Sequence, residues 1–222
     1  MTAAAAEGFT PVPDENLSAP SSLVQPPPPE RRLGVWPEPV WTSRQHPPPL
    51  WWLIGAHGGA GVTMLEASWA PAADALGAFP GAHAGESPFM VIVARESATG
   101  LSRAHDLLTQ HLAGVGGPAQ LVGLVTVAAA PGRSAPQLRR RREVIAGLIE
   151  DRCWHIPWID GWIGVTADEV PAWTPTSLIS TTRRREPVTT VVPREVAEVG
   201  VDIRHTITNL LRPQRPSDIT TK

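Results

Sequence analysis

Continuous runs of apolar residues recur along the middle of the chain and have the length of buried strands. Three runs cover residues 50–54, 89–94 and 121–127, and a shorter fourth run covers 153–157. A strand that is covered on both faces is apolar throughout, whereas a half-exposed strand alternates apolar and polar residues. The pattern therefore predicts strands of a parallel sheet.

Segments with helical periodicity lie between these runs. The first begins near Val62, the second has Thr99 as its candidate N-cap, and the third begins at a capping box formed by Ser134 and Gln137. Strands that alternate with helices are typical of a parallel sheet with helices on both faces. The sequence therefore predicts one α/β domain over residues 50–164.

The pattern weakens after this domain. Residues 165–190 mix proline, threonine and a run of arginines, which indicates a linker. Residues 191–212 repeat apolar residues at helical spacing and predict a separate C-terminal helix, followed by a tail over 213–222. The apolar stripe of this helix consists of Val196, Val199, Ile203, Ile207 and Leu210.

A lone helix of this length is only marginally stable in water, so its apolar stripe must pack against something. The linker is long enough for three arrangements. The helix can fold back on its own domain, mediate self-association with a second copy of the chain, or lie in the groove of a partner protein. We expect a contact element outside the sheet domain.

The first 49 residues differ from the rest in composition. They contain 12 of the 25 prolines and few aliphatic residues. Proline lacks the backbone N–H group that helices and central strands need. We therefore expect a disordered, proline-rich arm over residues 1–49, either solvated or bound in an aromatic groove of a partner.

The overall charge gives no general attraction to nucleic acid or to anionic lipid, because the formal net charge is −2. Positive charge is instead concentrated locally. Four consecutive arginines, Arg139, Arg140, Arg141 and Arg142, lie on the third predicted helix. They are candidates for non-specific DNA contact through phosphate neutralisation, and solvated surface charge is the alternative interpretation.

Three sequence features bear on the cellular compartment. Cys153 is the single cysteine, so no internal disulfide can form. The first residues have no basic segment followed by an apolar core, and no apolar run reaches the ~20 residues of a membrane-spanning helix. These features predict a cytoplasmic protein that does not enter a membrane.

A glycine-rich segment, residues 55–63, connects the first predicted strand to the first predicted helix. Its sequence is Gly-Ala-His-Gly-Gly-Ala-Gly-Val-Thr. Glycines in such a turn let backbone N–H groups approach a phosphate, and the start of a helix favours negative charge. The candidate phosphate- or nucleotide-contacting residues are His57, Gly58, Gly59, Ala60, Gly61, Val62 and Thr63.

This segment lacks the lysine that normally reaches the β- and γ-phosphates. Val62 occupies the place of that lysine, and the only lysine of the chain is Lys222. A cationic His57 would partly replace it; the alternatives are a neutral hydrogen-bond donor and packing against Trp51 or Trp52. We therefore expect contact with a nucleotide or phosphate without efficient hydrolysis.

The glycine pattern resembles the phosphate-binding loop of the ParA/MinD family of partition and positioning ATPases, which reads Gly-Lys-Gly-Gly-x-Gly-Lys-Thr. Residues 56–63 share three glycines and the threonine with it, while His57 and Val62 replace the two lysines. Ala128–Ala130 occupy the place where an acid follows a strand in that family. The resemblance implies a P-loop NTPase-like fold that binds ATP or another nucleotide as a pseudo-ATPase.

Four features of residues 51–164 occur together. They are the glycine-rich segment, the strand end at Arg95, the Ala-Pro-Gly-Arg133 turn and the spacing of Trp154, Pro157, Trp158 and Trp162. In these features the chain resembles a family of uncharacterised proteins of high-GC Gram-positive bacteria, often encoded on plasmids and integrated mobile elements. The resemblance implies a role in the maintenance or transfer of a mobile element.

Two other interpretations stay open. The glycine spacing also fits the dinucleotide turn of short-chain dehydrogenases. The chain has no tyrosine and no internal lysine for their Tyr-x3-Lys pair, so only cofactor binding without that chemistry is compatible. A non-enzymatic adaptor would instead bind proteins through the arm, the C-terminal helix and the cluster of Trp154, Trp158 and Trp162. The single cysteine and the histidine spacing show no zinc signature.

Overall fold

A five-stranded parallel sheet forms the centre of the part of the chain that the computed structural model describes, residues 24–40, 48–177, 179 and 186–212. The strands are β1 (Trp51–Gly55), β2 (Ala72–Asp74), β3 (Phe89–Glu96), β4 (Gln120–Ala128) and β5 (Cys153–Ile156). Their order across the sheet is β2-β1-β3-β4-β5, and each neighbouring pair is parallel. The predicted α/β class and parallel sheet are confirmed. The three-residue β2 was missed because a strand of this length has no readable period.

Helices cover both faces of this sheet, as the sequence predicts. They are α1 (Val62–Ser68), α2 (Ala98–Leu112), α3 (Pro136–Gly147) and α4 (Arg194–Leu210). Successive residues of a strand point to opposite faces. Val91 and Val93 of β3 therefore join the core beneath α1 and α4, while Ile92 and Ala94 join the core beneath α2 and α3. Within the described ranges, no helix has both the length and the apolar character to cross a membrane.

The strand order bears on the expectation of a P-loop NTPase-like fold. The order 2-1-3-4-5 is that of flavodoxin-like doubly wound sheets. Such sheets have a switch point between β1 and β3, from which the chain connects to either side. The expected P-loop NTPase-like fold stays a prediction, because the sheet supports only the general α/β parallel class.

Helix α4 belongs to the sheet domain, so the predicted separate helix is wrong. Val196, Ile203 and Ile207 of its stripe are buried in the same core as β4 and β5. The indole Nε1 of Trp69 donates to the carbonyl of Val196 at 2.9 Å. Gly200 permits this packing, because a Cβ there would lie 2.9 Å from the same indole nitrogen. Of the three arrangements left open, the helix folds back on its own domain.

The predicted linker is also structured over its first part. Trp173 is buried, its N–H donates to the carbonyl of Ser68 at 2.8 Å, and its carbonyl accepts from the N–H of Ala70 at 3.0 Å. The chain therefore pairs with the end of α1 before it reaches α4. The arginine run at 183–185 lies outside the described residues.

The predicted disorder of the N-terminal arm is wrong for residues 24–40, here called the strap. Arg31 forms an ion pair of 2.6 Å with Asp106 of α2. The side-chain amide of Gln110 accepts from the N–H of Leu33 at 3.0 Å and donates to its carbonyl at 2.7 Å. The N–H and the carbonyl of Leu33 are thus both hydrogen-bonded, although this residue of the proline-rich strap lies in no strand or helix. Residues 1–23 and 41–47 of the predicted arm lie outside the described residues.

We expect Ile203→Ala to lower the free energy of unfolding of the whole domain by about 2–5 kcal/mol, because the isoleucine is fully buried between α4 and the sheet. The measurement is urea denaturation followed by far-UV circular dichroism. Ile163→Ala is the matched control: that side chain is 73% exposed, so the change should stay within about 0.5 kcal/mol. Equal midpoints for both variants would contradict the packing of α4.

Candidate functional site

The glycine loop, residues 55–63, lies at the switch point of the sheet. It follows β1 directly, and β3 lies beside β1 on one side while β2 lies on the other. The N–H of Ala56 donates to the carbonyl of Val93 at 2.8 Å, which ties the start of the loop to β3. In open α/β sheets, ligands bind outside the carboxyl ends of the strands at this point.

The loop presents backbone donors without acceptors. Gly59 and Gly61 have φ angles of +76° and +107°, which a side chain would strain. The N–H of Ala60 closes a turn onto His57, and the N–H of Leu65 begins α1 by bonding to Gly61. Six other backbone N–H groups have no acceptor among the described residues: those of Gly58, Gly59, Gly61, Val62, Thr63 and Met64. Such a set of donors is able to hydrogen-bond an anion.

His57 fastens the loop to β3 as a neutral ring. Its Nε2 accepts from the backbone N–H of Arg95 at 3.3 Å, so this nitrogen carries no proton. Its Nδ1 therefore carries the proton and donates to the carbonyl of Gly58 at 2.8 Å. Gly100 leaves space for the ring, since a Cβ there would lie 2.8 Å from Nε2. In this arrangement His57 does not act as the missing cation.

Arg95 brings the positive charge to the loop, and the sequence analysis missed that role. It stands near the end of β3, its Nε donates to the carbonyl of Gly59 at 3.1 Å, and an Nη donates to the carbonyl of Ala128 at 3.0 Å. The guanidinium thus spans from the glycine loop to the end of β4. The only signal in the sequence was a basic residue at the end of a strand that turned out to neighbour β1.

Two cavities open at this edge of the sheet. The larger, here called the loop groove, has a volume of about 610 Å³ and is lined by the whole glycine loop, Leu33, Asp74, Arg95 and Arg103. The smaller, here called the tryptophan cavity, has a volume of about 130 Å³. Its walls include Met64, Val127, Pro157, Trp158 and Trp162. Arg95, Gly61 and Met64 line both cavities, so the two adjoin.

The predicted tryptophan cluster is divided between the core and this cavity. Trp154 lies in β5 and packs with Trp162 against the core under α1 and α4. The indole of Trp158 is fixed by a hydrogen bond of 2.8 Å from its Nε1 to Asp160. The Nε1 atom of Trp162 is buried without a hydrogen-bond partner among the described residues, as are those of the core residues Trp51 and Trp173.

A buried carboxylate lies one residue beyond Arg95, on the opposite face of the sheet. The side chain of Glu96 is 1% exposed and pairs with Arg142 of α3 at 2.6 Å. The hydroxyl of Ser134 donates to the same carboxylate, and the Nε2 atom of His155 lies 3.7 Å from it. This Glu96 cluster holds the start of α3 against the ends of β3 and β5.

Three predictions about residues near this cluster need correction. Ser134 does not cap α3, whose N-cap is Ala135 without a side-chain bond, because its hydroxyl serves Glu96. Likewise α2 is capped by Ser97 and not by Thr99. Arg142 is committed to Glu96, so the proposed patch of four arginines does not exist as a free set. Arg139, Arg140 and Arg141 remain, and the last two are exposed.

The titratable groups near the cluster are held in their neutral forms. Burial lowers the pKa of His155 below its ordinary value; the Glu96 carboxylate opposes this, and the Arg142 charge adds to it. Burial raises the pKa of the Cys153 thiol to about 11. A thiol of this kind stays protonated near neutral pH and is a poor nucleophile. Among the described residues, no group of histidine, cysteine, aspartate and glutamate side chains is arranged to hold a metal ion.

Comparison of the chain with protein-family models, with curated proteins and with solved structures finds no significant match. The likeness to the ParA/MinD family therefore rests on the motifs of the glycine loop alone. The geometry adds a loop at the switch point, a set of backbone donors and an arginine beside them.

We expect Glu96→Gln to lower the free energy of unfolding by about 3 kcal/mol, because it leaves the half-buried Arg142 guanidinium without its carboxylate. Glu198→Gln is the matched control, since Glu198 and Arg194 form an exposed pair on α4 whose loss costs at most about 1 kcal/mol. Both variants are compared by urea denaturation at neutral pH. Similar losses would mean that the Glu96 pair contributes no more than a surface pair.

Stability should decrease on acidification below about pH 6.5. His155 resists protonation in the folded state, whereas the unfolded chain takes up the proton at the ordinary value of 6.5. The unfolded state then binds more protons, so its free energy falls relative to the folded state. We expect His155→Gln to reduce the loss of stability between about pH 7.5 and about pH 5.5, while His205→Gln, on the exposed side of α4, leaves it unchanged. An unchanged slope in His155→Gln would contradict the assignment.

Proposed function

We propose that the chain binds a nucleotide, such as ATP, or another phosphate-bearing ligand in the loop groove, and does not hydrolyse it efficiently. One observation carries the proposal: six unpaired backbone N–H groups of the glycine loop and the start of α1 lie beside the guanidinium of Arg95 at the switch point. Backbone donors and a fixed cation are the two features that bind phosphate oxygens in proteins.

The residues of the groove have distinct roles in this proposal. Gly58, Gly59 and Gly61 supply N–H donors. Arg95 exchanges its two neutral carbonyl acceptors for a phosphate oxygen, because hydrogen bonds between charged partners are roughly twice as strong as neutral ones. His57 positions the loop by holding it to β3 and stays uncharged while it does so.

Inefficient hydrolysis follows from what the groove lacks. Val62 is buried and apolar where a lysine would reach the β- and γ-phosphates. Ala128 ends β4 where an acid would help to hold a magnesium ion, and the nearby carboxylate of Glu96 is committed to Arg142. Phosphoryl transfer depends on such groups to stabilise the charge of the transition state.

The alternative of a non-enzymatic adaptor names three surfaces, and two of them contact the domain itself at least in part. Four residues of the apolar stripe of α4 are buried in the domain core and are not free for self-association or for a partner's groove, while Leu210 is exposed. The strap, which is residues 24–40 of the arm, contacts α2, and residues 1–23 and 41–47 of the arm lie outside the described residues. The remaining surface is the tryptophan cluster. Cofactor binding of the dinucleotide type stays a second candidate, because its phosphates would use the same loop.

The cellular role proposed here is maintenance or transfer of a mobile element, and it rests only on the family resemblance. The proposed cytoplasmic location rests instead on sequence features such as the single cysteine. Contact with DNA through Arg139, Arg140 and Arg141 belongs to the same proposal. The two exposed arginines among them are the ones available for phosphate contact.

We expect the full chain to bind ATP, and Arg95→Gln to weaken that binding by at least about tenfold, because a charge-assisted hydrogen bond to phosphate is lost. Isothermal titration calorimetry with ATP, with and without Mg²⁺, measures the effect. Arg140→Gln is the matched control, since Arg140 is exposed on α3 and far from the loop in sequence. Arg95→Lys should bind with intermediate affinity.

Phosphate release by the same protein should not exceed background. Measurable turnover that Arg95→Gln abolishes would contradict the second half of the proposal. No binding of ATP at millimolar concentration, or equal affinity in wild type and Arg95→Gln, would contradict the first half.

A further inference from the structure

We propose that the tryptophan cavity receives the aromatic base of a nucleotide whose phosphates lie in the loop groove. The inference rests on the proposed function and makes it more specific: the ligand is a nucleoside phosphate rather than an inorganic or sugar phosphate. Three observations lead to it, namely the continuity of the two cavities, their volumes and the chemistry of the walls.

The two cavities are adjacent at the point where the phosphates would lie. Gly61, Met64 and Arg95 line both. A ligand that holds an anionic group against Gly61 therefore has an apolar space immediately beside it. A molecule with a charged end and a flat apolar end would occupy both cavities, whereas a bare phosphate would occupy only the loop groove.

The volumes of the two cavities agree with a ligand whose charged end lies in the loop groove and whose apolar end lies in the tryptophan cavity. Ligand pockets for whole small molecules usually measure about 300–1,000 Å³. The loop groove, at about 610 Å³, lies in that range, whereas the tryptophan cavity, at about 130 Å³, is large enough for only one part of a ligand. A single ring system is a part of that kind.

The walls of the tryptophan cavity suit an aromatic ring. Two tryptophans, Trp158 and Trp162, line it together with Val127 from the end of β4 and Met64 from the first turn of α1. The bond from Trp158 to Asp160 fixes the first indole, so little side-chain freedom is lost when a ring packs against it. Indoles stack on bases, and the Met64 thioether is a favourable neighbour for an aromatic ring.

The test compares ATP with inorganic triphosphate, which carries the phosphates without the base. Isothermal titration calorimetry is performed on the full-length wild type, on Trp158→Ala and on Trp162→Phe, with Val144→Ala on the exposed side of α3 as control. We expect wild type and the control to prefer ATP by at least about tenfold, because base stacking contributes that much to binding. Thermal melting of each variant confirms that it is folded.

The two variants change the tryptophan residues of the cavity to different degrees. Trp158→Ala should lose the preference for ATP and keep its affinity for triphosphate. Trp162→Phe keeps a smaller aromatic ring, so it should lose only part of the preference and remains informative if Trp158→Ala fails to fold. Equal affinity of wild type for ATP and triphosphate, or an unchanged preference in both variants, would overturn this inference and leave the proposed function intact. Binding of neither ligand would overturn both.

Discussion

The burial of both faces of a parallel sheet is the constraint on which the rest of this structure depends. Strands β3 and β4 are apolar on both sides, so each face needs a covering layer. On one face α2 and α3 provide it. On the other face α1 has only seven residues and cannot extend over β4 and β5. Helix α4 covers these strands instead. This explains why α4 packs on the domain although a polar, proline-containing stretch precedes it in the chain.

The same alternation of faces divides the polar groups at the carboxyl edge. Arg95 and Glu96 are neighbours in sequence, and because they follow one another in a strand, they point to opposite sides. Arg95 reaches the glycine loop, while Glu96 reaches α3 through Arg142 and Ser134. A single strand end therefore fixes both the candidate binding loop and the helix after β4. A shift of β3 by one residue would exchange these two side chains and disrupt both.

The apolar runs were sufficient to predict the fold class, because their signal is local and strong. Strands β1, β3, β4 and β5 and the position of the glycine loop between β1 and α1 follow from that signal. The strap and α4 could not be placed, because their partners are distant in sequence: Gln110 for Leu33 and Trp69 for Val196. The proline content of the strap also led to a wrong prediction of disorder. A proline-rich segment is ordered where side chains elsewhere in the chain satisfy its backbone groups. The role of Arg95 could not be read without knowing that β3 lies beside β1.

The hydrogen bond between Trp69 and Val196 has a consequence for the order in which the chain is made. The two residues are 127 positions apart, so the indole N–H of Trp69 leaves the ribosome long before its acceptor exists. At typical rates of synthesis the interval is roughly 6–25 s. Strand β4 is complete only at Ala128, and from then until α4 has been made the face of β1 and β4 beneath that helix lacks its cover. Once α3 has been made, the nascent domain therefore has one finished layer and one unfinished layer until its last helix has been synthesised.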